Sequence, residues 1–153
     1  MNKFIIILNF TLIFGHSAFC QFNFENPRIA IVISKTSFTH HWGVTQMSAH
    51  GWGGVVNLAG VPYDCYFAED LTEDINLKKY DCLIFSQCTY LTNAAYEKTV
   101  DVLENYLSDD GNLIIDGLIG YFDENTKERD HSKLDQLLNM KYIGFYGDSD
   151  YRI

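Results

Sequence analysis

Two adjacent imidazoles, His40 and His41, and one thiol, Cys88, are the side chains of this sequence best suited to general-base or nucleophilic chemistry. Neighbouring residues on a regular helix or strand point apart, so both histidines serve one centre only if they sit in a loop. His50 follows nine residues on, with no carboxylate motif and no CxxC pair nearby. Neither a metal nor any other cofactor is therefore expected. Cys88 stands in Gln87-Cys88-Thr89-Tyr90, without the glycines that form a strained, exposing turn. Its thiolate would need a base such as His40, or a helix N-terminus. Asp123 and Glu124 could pair as acid and base, but neighbours in a polar loop are more simply solvated. No G-x-G-x-x-G follows the first apolar run, where Ser34-Lys35-Thr36-Ser37 stands instead, and no Walker loop occurs. Phosphate and dinucleotide binding therefore have no support.

The elements that must position these groups follow from periodicity. Tyr80–Ser86 is a nearly unbroken apolar run, the mark of a strand covered on both faces. Leu91 and Tyr96 bracket Thr92 as a staple around an N-cap. Tyr96, Val100, Leu103 and Leu107 then recur at helical spacing, with Glu97, Lys98, Asp101 and Glu104 mostly opposite. Ser108-Asp109-Asp110-Gly111 stops that helix and Asn112–Asp116 returns as a strand, closing a βαβ crossover. Upstream, Arg28–Ser34 and Tyr63–Ala68 read as strands. The segment between them begins as a loop and turns helical, with Val44, Met47, Val55, Leu58 and Ala59 lining one face. Gly51, Gly53 and Gly54 predict a break near Trp52 or a close approach to the sheet. Gly60-Val61-Pro62 ends it. A short helix over Ser132–Asn139 and a fifth strand over Lys141–Tyr146 complete the pattern.

Strands alternating with helices predict an α/β fold: a doubly wound, mostly parallel, flavodoxin-like sheet with helices on both faces. Ligands of such sheets sit beyond the strand C-termini. That rim offers Ser34, Lys35, Thr36 and Trp42, then Glu69 and Asp70, Gln87, Cys88, Thr89 and Tyr90, and Asp116 with Gly117. Asp116 reads as a strand-end residue accepting backbone hydrogen bonds.

Composition narrows the function. The formal charge is -9 and no Lys/Arg cluster occurs, which argues against nucleic acid or an anionic membrane as partner. The ten Tyr, eleven Phe and two Trp suit core packing before sugar stacking. Lys3 and the apolar Phe4–Phe14 followed by Ala18-Phe19-Cys20 read as an export signal over residues 1–20, cleaved before Gln21. That stretch is too short to span a bilayer; a lipoprotein anchored through Cys20 is the rival, and an uncleaved buried strand is the remaining option. The expected location is periplasmic or extracellular. Cys65, Cys82 and Cys88 would remain, the first two as core residues; Cys65–Cys82 or Cys82–Cys88 disulfides are open options.

Leu77–Asn125, with LKKYDCLIFSQCTYLT and DDGNLIIDGLIGYFDEN, together with Asn57–Asp64 and Leu134–Gly144, resembles the trimerisation domain of β-galactosidases. That domain is similar to class I glutamine amidotransferases. The resemblance covers most of Arg28–Gly144 and implies the flavodoxin-like sheet; the expected domain spans residues 28–146, and residues 147–153 read as the start of a possible further region. Amidotransferases carry a nucleophilic cysteine on a glycine-flanked turn, where this chain has Asp116-Gly117-Leu118-Ile119-Gly120. The β-galactosidases keep their catalytic glutamates in a separate barrel. The resemblance therefore implies a non-catalytic accessory or assembly domain of an exported carbohydrate-active protein, forming a homo-oligomer or joined to a catalytic domain. Two alternatives stand beside it: a hydrolase or sugar-modifying enzyme using His40, His41 and Cys88, and a sugar-binding module using Trp42, Trp52 and Tyr90.

Overall fold

The computed structural model describes residues 6–7, 26–72 and 75–140. Its strands are β1 (Ile6–Ile7), β2 (Ile29–Ile33), β3 (Tyr63–Phe67), β4 (Cys82–Ser86) and β5 (Asn112–Asp116). Its helices are α1 (Lys35–Leu58), α2 (Asn93–Ser108) and α3 (Ser132–Leu138). The strands form one parallel sheet in the order β1-β5-β4-β2-β3. The expected strand over Lys141–Tyr146 lies outside the described residues, as does nearly all of the expected export signal, Cys20 included. Ile6 and Ile7 lie beside Ile114 and Ile115 at the β5 edge.

Side chains of successive strand residues point to opposite faces, so each central strand feeds two cores. Ala30 and Val32, Leu83 and Phe85, and Leu113 and Ile115 face α2 and α3 in the larger core, which also takes Tyr96, Val100, Leu103, Leu134 and Leu138. Ile31, Cys82 and Ile84 face the other way, against Val56 and Trp52 of α1. The architecture is therefore the doubly wound α/β sheet expected.

α2 forms where its sequence predicts. Thr92 is the N-cap, its side chain accepting from Ala95 N at 3.2 Å, and the flanking Leu91 and Tyr96 are both buried. Asp110 adopts φ +62° and the Gly111 amide donates to Tyr106 O at 3.2 Å, which ends the helix.

α1 departs from expectation in three ways. It starts directly at Lys35, with no preceding loop, because Ser34 caps it by accepting from Ser37 N. Its break falls at His41 (φ -137°, ψ 53°) and not near Trp52, so of the two expectations for the glycines the close approach to the sheet is the one met, at Gly53. Its apolar stripe is turned outward: Val44, Met47, Val55, Leu58 and Ala59 are exposed, while Ser37, Thr45, Gly53 and Val56 are buried against the sheet. Small side chains on that inner face let the helix approach closely. At Gly53 an added Cβ would lie 3.0 Å from the Tyr63 hydroxyl.

Cys65 is also corrected, since edge strand β3 leaves it exposed and not in the core. Cys65, Cys82 and Cys88 are all free thiols, so neither disulfide option is realised.

Candidate functional site

The strand order reverses between β2 and β4, and the crevice at such a switch point is where this class of sheet binds ligands. Here that crevice is stitched shut by side chains of the chain itself. The Ser34 hydroxyl lies 2.6 Å from Tyr90 O and 2.7 Å from Glu69 Oε1. The Ser37 hydroxyl donates to Tyr90 O at 3.1 Å and accepts from Tyr90 N at 2.9 Å. Both serines are buried.

Glu69, one residue into the 3-10 turn Ala68–Asp70 after β3, fills the anion position at the N-terminus of α1. Its carboxylate accepts from Lys35 N at 2.9 Å, Thr36 N at 3.0 Å and Thr36 Oγ1 at 2.9 Å. Burial works against the charged form, but the Thr36 and Lys35 amides and the Ser34 hydroxyl outweigh it and hold this carboxyl below its usual range. Lys35 Nζ turns outward to Asp70 at 2.5 Å and lies over the Phe67 ring. Ser34, Lys35 and Thr36 therefore come together as expected, with Glu69 as their common partner.

The break at His41 removes the objection to the two histidines acting in one place. His40 and His41 both stack against the Tyr90 ring, with centroids 4.7 and 5.2 Å away. His41 Nε2 is 2.9 Å from the Tyr90 hydroxyl, and His40 Nε2 is 3.1 Å from Glu124 O. Phe122 stacks on Tyr90 too, at 5.1 Å. Three near-parallel rings thus surround Tyr90, which is 8 % exposed and has no face left for a ligand. Trp42, in contrast, projects into solvent away from this cluster.

A second cluster closes the ends of β4 and β5. Asp116 Oδ2 accepts from Ser48 Oγ and from Trp52 Nε1 (3.0 Å), and Oδ1 lies 3.3 Å from Gln87 Nε2. Ser48 Oγ is also 2.6 Å from Ser86 Oγ. As expected of a strand-end residue, Asp116 closes β5 and its carbonyl accepts from Gln87 N at 2.7 Å, while its carboxylate takes side-chain donors from α1 and from the β4 end. Gln87 adopts φ +50°, a left-handed conformation that aims its amide at this carboxylate.

Cys88 does not reach this rim. It is fully buried, its thiol donating toward Val32 O at 3.5 Å. Burial, reinforced by the Glu69 charge, pushes the thiol far up from its ordinary value. Both effects disfavour the thiolate, and the expected rim position of Cys88 is not met, since the thiol lies in the core. Ile119 is buried in the turn after β5, with Leu118 half-buried beside it. Asp123 closes its own loop, accepting from Asn125 N at 2.8 Å and Lys127 N at 2.9 Å, while Glu124 accepts from Asn93 N at 3.2 Å. The pair thus serves a turn and the start of α2. Among the described residues no three His, Cys, Asp or Glu side chains converge as metal ligands.

Ser37, Ser48, Ser86 and Phe122 were not singled out from sequence. Ser34-x-x-Ser37 before a periodic run is a capping pattern, and Ser48 and Trp52 at i, i+4 share a helix face. Those two signals could have found Ser37 and Ser48, but Ser86 and Phe122 reach their partners only through tertiary packing.

No protein-family model and no curated protein matches the chain. Among solved structures it is similar to a β-galactosidase from Bifidobacterium adolescentis, with TM-score 0.59 and 14% identity. The match covers 78% of this chain and 57% of that one, and at this identity the likeness is one of fold.

Proposed function

We propose that this chain is a non-catalytic, amidotransferase-like accessory or assembly domain of an exported carbohydrate-active protein. One observation carries the reading: the crevice where the fold would bind a ligand is occupied by Ser34, Ser37, Glu69 and Tyr90 bonded to one another. The buried Cys88 and the apolar Leu118 and Ile119 support it, as does the fold shared with a β-galactosidase. Carbohydrate handling and attachment to a catalytic domain belong to this proposal, as does export. In protein recovered from outside the inner membrane, the first residue is expected to be Gln21; a chain still starting at Met1 would refute processing.

The test of catalysis is direct. Purified protein at high concentration should release no nitrophenol from a panel of nitrophenyl glycosides and no ammonia from glutamine. Turnover abolished by His41→Ala would replace this reading with the enzymatic one, which the pairing of His41 with Tyr90 favours. Trp42 is the exposed aromatic left for the sugar-binding alternative.

A further inference from the structure

We infer that the outer face of α1 is a self-association surface, at which a second copy of this chain packs antiparallel across a twofold axis at Gly51. The inference rests on the assembly reading above and names its partner and surface. From Thr36 to Tyr63 the chain has no Asp, Glu, Lys or Arg, although it carries twenty acidic and eleven basic residues in all. The outer face of α2 is built as a solvated face should be, with Glu97, Lys98, Asp101 and Glu104 all exposed. That of α1 presents Val44, Met47, Gly51, Val55 and Leu58, with Met47 76% and Leu58 90% exposed. An apolar stripe left facing solvent, on a helix whose other side already packs on the sheet, marks an interaction surface.

A second copy is the occupant that the spacing selects. Val44 and Leu58 are each seven residues from Gly51, and Met47 and Val55 are each four. Laid antiparallel on itself, the stripe therefore sets Val44 against Leu58 and Met47 against Val55, as an isologous contact requires. Gly51 falls at the crossing, where nothing lies within 4 Å of the position of an added Cβ, so the backbones can approach. Two chains of charge -9 repel wherever acidic surfaces meet, and this face carries no charge to oppose contact. A membrane surface fits poorly, since interfacial helices flank their apolar face with Lys and Arg. Beyond the break at His41 the helix is ~25 Å long, so the stripe covers on the order of 350 Å² per copy, the size of the largest apolar patch on a typical monomer, which is often functional. Two such faces bury on the order of 700 Å² in all, below the roughly 1,000 Å² of a stable interface, so the dimer is a weak, concentration-dependent one.

Sedimentation of the protein at up to about 100 µM should give a mass approaching twice 17.6 kDa, less any cleaved signal. Met47→Glu/Leu58→Glu should sediment as a monomer and, at concentrations where the wild type is also monomeric, melt as the wild type does; if that pair alters the melt there, Leu58→Lys alone serves. Gly51→Cys in a Cys65→Ser background should cross-link to a disulfide dimer under mild oxidation, whereas Glu97→Cys on α2 should not. A wild-type monomer throughout this range would overturn both this inference and self-assembly in the underlying reading. A dimer indifferent to the charged variants would overturn the α1 face alone, leaving assembly to another surface. Charge-sensitive dimers in which Gly51→Cys fails to cross-link would overturn the antiparallel register.

Discussion

Glu69→Ala is expected to cost about 2–4 kcal/mol of stability, since hydrogen bonds to a charged group contribute roughly 1.5–3 kcal/mol each and do not add fully. The substitution strips the acceptor from two amides at the start of α1 and from the hydroxyls of Ser34 and Thr36. It also removes the negative charge from a helix N-terminus. Urea unfolding should show the midpoint falling at unchanged slope, with Tm lower by roughly 5–15 °C. The same carboxylate sets a pH dependence. Its folded pKa lies below the unfolded one, so the stabilisation is complete above the ordinary carboxyl range of about 4.3 and disappears as pH falls through the depressed value. Glu69→Gln should therefore be less stable than wild type at pH 7, and the gap should narrow on acidification. A gap that stays constant from neutral pH into acid would show that Glu69 is held for its shape and not its charge.

Gly120→Ala is the second large effect, at about 2–4 kcal/mol from left-handed strain plus overpacking. Gly120 has φ +58°, and a Cβ there would sit 2.5 Å from the buried Tyr96 ring and 3.1 Å from Arg129 Nη1. Neither neighbour is free to retreat. Arg129 donates to Gly120 O at 2.8 Å, Leu91 O at 3.0 Å and Asn93 Oδ1 at 2.8 Å, and its guanidinium lies over Tyr96. Gly117 also has positive φ, but it is exposed and an added Cβ would meet the Gln87 side chain at 3.0 Å. Gly117→Ala should thus be the milder change in parallel denaturation curves. Equal losses at both glycines would mean that backbone strain alone, without the Arg129–Tyr96 packing, sets the cost.

The βαβ unit from Cys82 to Asp116 was legible because its signals agree: an apolar run, a capped amphipathic helix with charges on one side, and a turn with glycine. α1 was legible as a helix but not in its orientation. An apolar stripe identifies a face without saying what covers it, and here the residues against the sheet are Ser37, Thr45, Gly53 and Val56. The rim residues were found by counting to strand ends, which locates Ser34, Glu69, Tyr90 and Asp116 reliably. Their partners were not, because Ser34 meets Tyr90 across 56 residues and Trp52 meets Asp116 across 64. Whether a polar rim is open or knotted to itself depends on such long-range pairings. Periodicity and local propensity carry no trace of them. The two histidines illustrate the same limit, since only the backbone break at His41 turns both rings toward Tyr90.

The bonds from Ser48 and Trp52 to Asp116 also bear on the order in which the molecule can be built. A chain emerging from the ribosome presents α1 well before β5, the strand that completes its polar underside. Until residue 116 is in place, a serine and an indole on that side lack their acceptor, so an N-terminal fragment gains little by closing early. Such late, distant closure slows folding and keeps the nascent chain loose for longer.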